Sequence, residues 1–142
     1  MKSGFCICPA GWEGALPPGM TPLREGVPPG RWDLLVLTEA GLGRAASPCG
    51  ILLVPGDCPA ELLERVPAET VVTYGMSPRD SLTFSSLEGP VLCIQRRLPR
   101  LDGTVVEPQE VPLPGLSGPP ELLLPVLGAR VLQMPLPVTW AL

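Results

Sequence analysis

The fold of this chain is decided by residues 51–75, ILLVPGDCPAELLERVPAETVVTYG. Two apolar runs, Ile51–Pro55 and Thr70–Tyr74, flank the segment Pro59–Val66. That segment carries helix signals, because it begins with proline, has an early glutamate and ends with arginine before another proline. The apolar runs are continuous rather than alternating, which is typical of strands buried on both faces of a parallel sheet. The stretch therefore predicts one compact βαβ unit with a short crossover.

The neighbouring segments extend this unit in two different ways. Upstream, Asp33–Thr38 is another nearly continuous apolar run, which places a parallel core at about residues 33–75. Downstream, Ser81–Ser86 alternates polar and apolar residues, and the runs Val91–Arg97 and Thr104–Val111 follow it between turn signals, as expected for an antiparallel meander.

Two further signals complete the predicted fold. Asp102-Gly103 stands between two strand-like runs and is typical of a hairpin turn. Apolar residues recur at helical spacing in Pro119–Val131, which predicts a C-terminal helix that Pro125 bends. We therefore expect an α/β fold with a Rossmann-like parallel βαβ core that continues into an antiparallel meander and a C-terminal helix.

Proline and glycine determine the expected domain organisation. The chain has 142 residues and 21 prolines, so it is proline-rich, and its regular elements must fit between prolines. Both residue types are dense over residues 1–30, which predicts an irregular N-terminal segment with at most a short strand at Phe5–Cys8. Residues 31–142 are expected to form a single α/β domain.

The charge of the chain limits its partners. The net charge is −4, and the only basic cluster, Arg96, Arg97 and Arg100, is interpreted as a solvated strand edge. We therefore expect no nucleic-acid partner. No apolar run reaches the length of a membrane helix, and no signal-peptide core is visible. The expected location is the cytoplasm, and the expected partner is a protein or a small ligand.

The cysteines and the missing histidine limit the chemistry. Histidine is absent, which excludes a Ser-His-Asp triad and histidine acid–base catalysis. We expect no metal site and no cofactor, and an enzyme is not the favoured interpretation. The five cysteines are interpreted as free thiols in a reducing compartment, and they lie at positions 6, 8, 49, 58 and 93.

Polar residues follow the two strands of the predicted βαβ unit. The carboxyl ends of parallel strands share one sheet edge, where α/β proteins usually bind ligands. The predicted ligand-binding residues are Asp57, Gly75, Ser77, Arg79 and Asp80. For the two aspartates the favoured alternative is that they only cap local structure, Asp57 at the helix that begins near Pro59 and Asp80 at Ser81. A Ser77 nucleophile would lack a base to activate it.

A glycine-rich turn offers a second hypothesis. Gly41–Ala46 matches G-x-G-x-x-A after a strand, a pattern used for dinucleotides. Few residues separate it from the next strand, whereas a crossover helix normally needs about a dozen. The alternatives left open are a nucleotide-binding enzyme that uses this turn and a structural or interaction protein that docks a partner through its proline-rich flanks.

The stretch 51–75 resembles the closing βαβ unit of the Mur-ligase central domain, and VVTYG at its end is the most specific part of that likeness. The resemblance covers about residues 33–130 and includes the Pro-Gly turn and helix of VPLPGLSGPPELLLPVLGA. The chain departs from the family because it has neither the P-loop nor the histidine. The resemblance therefore implies the family's shape without ligation. The runs YGMSPRDSLTFSSL and QRRLPRLDGTVVEPQE are also similar to those of short uncharacterised bacterial proteins.

Overall fold

The computed structural model describes residues 2–86 and 90–133 of the chain. These residues form two α-helices, α1 (Ala60–Arg65) and α2 (Pro120–Gln133), and two single-turn 3-10 helices at Glu13–Ala15 and Glu39–Gly41. Their strands are β1 (Ser3–Cys6), β2 (Met20–Leu23), β3 (Trp32–Leu37), β4 (Cys49–Pro55), β5 (Ala68–Tyr74), β6 (Leu82–Phe84), β7 (Val91–Ile94), β8 (Leu98–Pro99), β9 (Val105–Val106) and β10 (Gln109–Pro112).

Eight of these strands form one sheet in the order β10-β7-β6-β5-β4-β3-β1-β2. The strands from β2 to β6 along this order are parallel to one another. β7 runs antiparallel to β6, and β10 runs antiparallel to β7. The predicted α/β fold is therefore confirmed, and β4-α1-β5 is its βαβ unit.

The continuous apolar runs are explained by burial on both faces of the sheet. In β3, Leu34 and Val36 pack on the side covered by α2, whereas Leu35 and Leu37 pack with Leu62 of α1 on the other side. All four β3 side chains are fully buried. Adjacent residues of a strand point to opposite faces, so a strand covered on both sides needs apolar residues at every position.

The N-terminal segment differs from its prediction, because β1 and β2 lie within residues 1–30 and β1 is an interior strand. Gly4 is required in β1, since a side chain there would come within 2.9 Å of Leu23 and Trp32. Pro22 is tolerated because β2 is the edge strand. The local glycine and proline signals for coil were overridden by pairing with the distant strand β3.

The region after the parallel core contains the predicted hairpin. Asp102 and Gly103 connect β8 to β9, and these two strands pair antiparallel. The Asp102 carboxylate accepts hydrogen bonds from the amide and hydroxyl of Thr104, and these bonds lower the pKa of Asp102. The run predicted as one strand over Thr104–Val111 is instead divided into β9 and β10. Its Pro108 lies between the two pieces and supplies no amide donor.

Helix α2 covers one face of the sheet. It spans 14 residues and includes Pro125 in its interior, as the sequence predicts. Its buried side extends over nearly its whole length, from Leu123 to Leu132. Among residues 2–86 and 90–133, no helix combines the length and the apolar character needed to cross a membrane.

We expect Gly128→Ala in α2 to destabilise the fold by about 1 kcal/mol. A β-carbon there would lie 2.7 Å from Leu53 and 2.9 Å from Leu82, and both leucines are fully buried. This overpacking outweighs the gain of about 1 kcal/mol in helix propensity. Urea unfolding measures the difference. Leu53→Val should cost less in the Gly128→Ala background than in the wild type, and equal costs in both backgrounds would contradict the packing argument.

Candidate functional site

A cleft of about 590 Å³ opens at the carboxyl edge of the parallel strands. Strands β4 and β5 are in register with Pro55 opposite Tyr74, so both strands end at this edge. The turn after β3 contributes Glu39 to the cleft, and the first turn of α2 contributes Glu121. The five residues predicted from the sequence all line this one cleft: Asp57, Gly75, Ser77, Arg79 and Asp80.

The loop between β5 and β6 is fixed by a tight turn. The amide of Asp80 donates to the Ser77 carbonyl at 3.0 Å, and Pro78 occupies the second position, which suits its fixed φ. The amide of Arg79 donates to the Ser77 hydroxyl at 3.2 Å. Directly after β7, the Gln95 side chain donates to the carbonyls of Asp80 at 2.6 Å and Pro78 at 3.2 Å. The cleft therefore has a preorganised wall.

The Asp80 carboxylate is the most unusual group in the cleft. The residue is only 4% exposed, and its Oδ2 accepts a hydrogen bond from the Ser77 amide at 3.1 Å. Its Oδ1 accepts no hydrogen bond from any residue that the structure describes. Oδ1 is nevertheless not among the fully buried polar atoms that lack a partner, so it keeps contact with water in the cleft. Asp80 therefore brings an acceptor oxygen to the cleft that no described residue occupies.

Two glycines make room for this carboxylate. A side chain at Gly56 would overlap Asp80 Oδ1 and would lie 2.8 Å from its Cγ. A side chain at Gly75 would lie 2.5 Å from Asp80 Oδ2. Gly56 follows β4 and Gly75 follows β5, so the ends of both strands shape the Asp80 position. Gly56 was not among the predicted site residues.

The two aspartates differ in their local roles. Asp80 caps its own turn through the Ser77 amide, so the Ser81 amide instead donates to the Thr73 hydroxyl. Asp57 does not cap α1, because the N-cap of that helix is Pro59 and no side chain bonds there. The capping alternative is therefore wrong for Asp57. For Asp80 it is wrong in its position, because the carboxylate caps the Ser77 amide and not Ser81. The exposed Asp57 carboxylate faces the cleft without a hydrogen bond to a described residue.

Tyr74 closes the floor of the cleft. Its hydroxyl donates to the Leu37 carbonyl at 2.9 Å, and the residue is only 3% exposed. Burial raises the pKa of Tyr74 strongly, and the nearby acidic residues Glu39 and Asp57 add to that rise. The phenol therefore serves as a neutral hydrogen-bond donor that ties the end of β5 to the end of β3.

Stability should fall at alkaline pH because buried thiol and phenol groups resist ionisation. Burial raises the pKa of Cys49 from 9.0 to about 11. Below pH 9 its contribution to stability is fully present, and it is lost between pH 9 and pH 11 because only the unfolded chain ionises there. Tyr74 adds a second loss above its ordinary pKa of 10.0. Urea unfolding from pH 7 to 11 should show a decline that begins near pH 9, and Tyr74→Phe should flatten its upper part. A flat profile would contradict this account.

The glycine-rich turn lacks the helix that nucleotide binding requires. After Gly41 the chain continues through turn and coil to Pro48, and no helix follows Gly43 there. Gly41 itself is buried against the Cys6 backbone, where a β-carbon would lie 2.6 Å from the Cys6 carbonyl carbon and 2.9 Å from the Ile7 nitrogen. The glycine is therefore explained by packing between this turn and the end of β1.

The cysteines are free thiols, and Cys6, Cys8 and Cys49 are buried. Across residues 2–86 and 90–133, no group of three or more cysteine, aspartate or glutamate side chains is placed to hold a metal ion. The carboxylates of the cleft therefore border it without forming a metal cage.

The sequence and fold were compared with known proteins. No protein-family model, no curated protein and no solved structure matches this chain. The function of this chain is therefore inferred from the geometry of the cleft.

Proposed function

We propose that this chain is a noncatalytic α/β domain that holds a small polar ligand in the cleft at the ends of β4 and β5. The observation that carries the proposal is the buried Asp80 carboxylate, whose Oδ1 has no hydrogen-bond donor among the described residues. A ligand donor at this position would take the place of water at an acceptor that the described residues leave open. The position also agrees with the general placement of ligands outside the carboxyl ends of parallel strands.

The absence of an activated nucleophile favours binding over catalysis. The Ser77 hydroxyl accepts a hydrogen bond from the Arg79 amide, and the nearby Asp80 carboxylate bonds the Ser77 amide rather than its hydroxyl. The sequence has no histidine that could serve as the base. A serine nucleophile needs such a partner within hydrogen-bond distance.

The Mur-ligase resemblance contributes only a likeness of shape to this proposal. The β4-α1-β5 unit corresponds to the stretch that carries the resemblance, while the chain has no P-loop sequence. In this interpretation the domain retains a ligand-binding site at the carboxyl edge of its sheet and does not catalyse ligation. We also propose a cytoplasmic location, which suits five free thiols.

A thermal-shift screen tests the proposed function. The panel contains nucleotides, UDP-sugars, amino acids and aliphatic amines, applied to the wild type and to Asp80→Asn. We expect at least one class to raise the unfolding temperature of the wild type more than that of Asp80→Asn. Glu64→Gln is the charge-matched control, because Glu64 is exposed on α1 and does not line the cleft. No shift with any class, or equal shifts in the wild type and Asp80→Asn, would overturn the proposal.

A further inference from the structure

We infer that the ligand of this cleft carries a protonated amine that donates to Asp80 Oδ1; this inference rests on the proposed function. Asp80 is the most deeply placed carboxylate at the cleft, and it is held at a fixed position by the Ser77 amide and by the two glycines beside it. An ammonium group has three donors and a positive charge, so it can donate a hydrogen bond to the open Oδ1 and pair with the charge of the carboxylate.

The charges around the cleft favour a cation. Glu39, Asp57, Asp80 and Glu121 supply four carboxylates, whereas Arg79 supplies the only guanidinium among the lining residues. A phosphate or carboxylate ligand would meet this negative excess at close range, where like charges repel. A cleft lined mainly by one sign of charge concentrates ligands of the opposite sign.

The spacing of the carboxylates favours an organic cation over a metal ion. The described acidic side chains do not gather into a group of three that could hold a metal. A divalent cation needs several oxygen ligands at about 2.0–2.6 Å, so it gains little from carboxylates spread around a cleft. A protonated alkyl diamine carries one positive charge at each end of its chain, so it can approach two separated carboxylates of the cleft at once.

The remaining lining residues suit an alkyl chain. Met76 and Leu124 border the cleft, together with the buried ring of Tyr74. Met76 is 51% exposed, so a ligand that covered it would remove apolar surface from water. The volume of about 590 Å³ lies within the range of small-molecule sites.

Isothermal titration of the full chain with matched compounds tests the inference. The probes are 1,5-diaminopentane, the neutral 1,5-pentanediol of the same length, and magnesium chloride. We expect the diamine to bind the wild type and Glu64→Gln equally, and to bind Asp80→Asn at least about tenfold more weakly. If Asp80→Asn does not fold, Glu121→Gln replaces it, with an expected loss of about threefold. The diol should bind at least about tenfold more weakly than the diamine.

The outcomes separate this inference from the proposed function. Equal binding of diol and diamine, equal diamine binding by the wild type and Asp80→Asn, or tighter binding of magnesium than of diamine would overturn the ammonium assignment. If the diamine fails but an uncharged or anionic compound of the thermal-shift panel depends on Asp80, the inference is wrong and the proposed function stands. If no compound of either experiment binds, both are wrong.

Discussion

Gly41→Ala is expected to lower the free energy of unfolding by about 3 kcal/mol or more. The new β-carbon would overlap the Cys6 carbonyl oxygen and would lie 2.6 Å from the carbonyl carbon. These atoms belong to the backbone at the end of the interior strand β1, so they cannot move aside as a side-chain tip can. Urea unfolding at pH 7 measures the loss.

Gly43→Ala is the matched control two residues away. No atom lies within 4 Å of the position that its β-carbon would take, and the residue is exposed. We expect a change of about 0.5 kcal/mol or less. Similar losses from Gly41→Ala and Gly43→Ala would contradict the packing explanation of the glycine-rich turn. Such a result would instead support a shared role for Gly41 and Gly43.

Gly56→Ala is expected to destabilise the fold by about 2 kcal/mol through a clash with Asp80. The carboxylate would have to leave its position between Gly56 and Gly75 and give up its hydrogen bond to the Ser77 amide. That bond closes the loop that walls the cleft, so the same substitution should weaken ligand binding. Urea unfolding measures the first effect and titration of the bound compound measures the second.

A double-mutant cycle isolates the Gly56–Asp80 contact. Asp80→Ala alone should cost about 1–2 kcal/mol, because the Ser77 amide loses its acceptor. Once the carboxylate is absent, Gly56→Ala should add at most about 0.5 kcal/mol. The expected coupling energy is therefore about 1.5 kcal/mol. Strictly additive losses would show that Gly56 is needed for a reason other than the space occupied by Asp80.

The sequence predicts the part of the fold whose signals are local. The strands β3, β4 and β5 are continuous apolar runs, and α1 lies between two prolines, so each element can be identified from its own residues. Strand β1 was identified only in part, through the short strand predicted at Phe5–Cys8, and β2 was not identified. Gly4 and Pro22 oppose strand formation locally, whereas the pairing of β1 with both β2 and β3 favours it through contacts between distant residues.

The same distinction explains what the sequence revealed about the cleft. The predicted residues directly follow β4 and β5, and a parallel sheet brings such positions together. Glu121 and Gln95 were missed because each reaches the site through the packing of a distant element, α2 or β7. Gly56 carried a local signal, since it lies in the turn Pro55-Gly56-Asp57, but its purpose depends on Asp80.

Amide chemical-shift mapping during a titration shows directly whether a ligand occupies the cleft beside Asp80. The probe is the compound that gives the largest thermal shift, added to the wild-type chain and to Asp80→Asn. We expect the largest changes at the amides of Gly56, Gly75 and Ser77, no response at Glu64, and loss of the changes in Asp80→Asn. Changes confined to residues outside the cleft, or unaltered changes in Asp80→Asn, would contradict ligand binding beside Asp80.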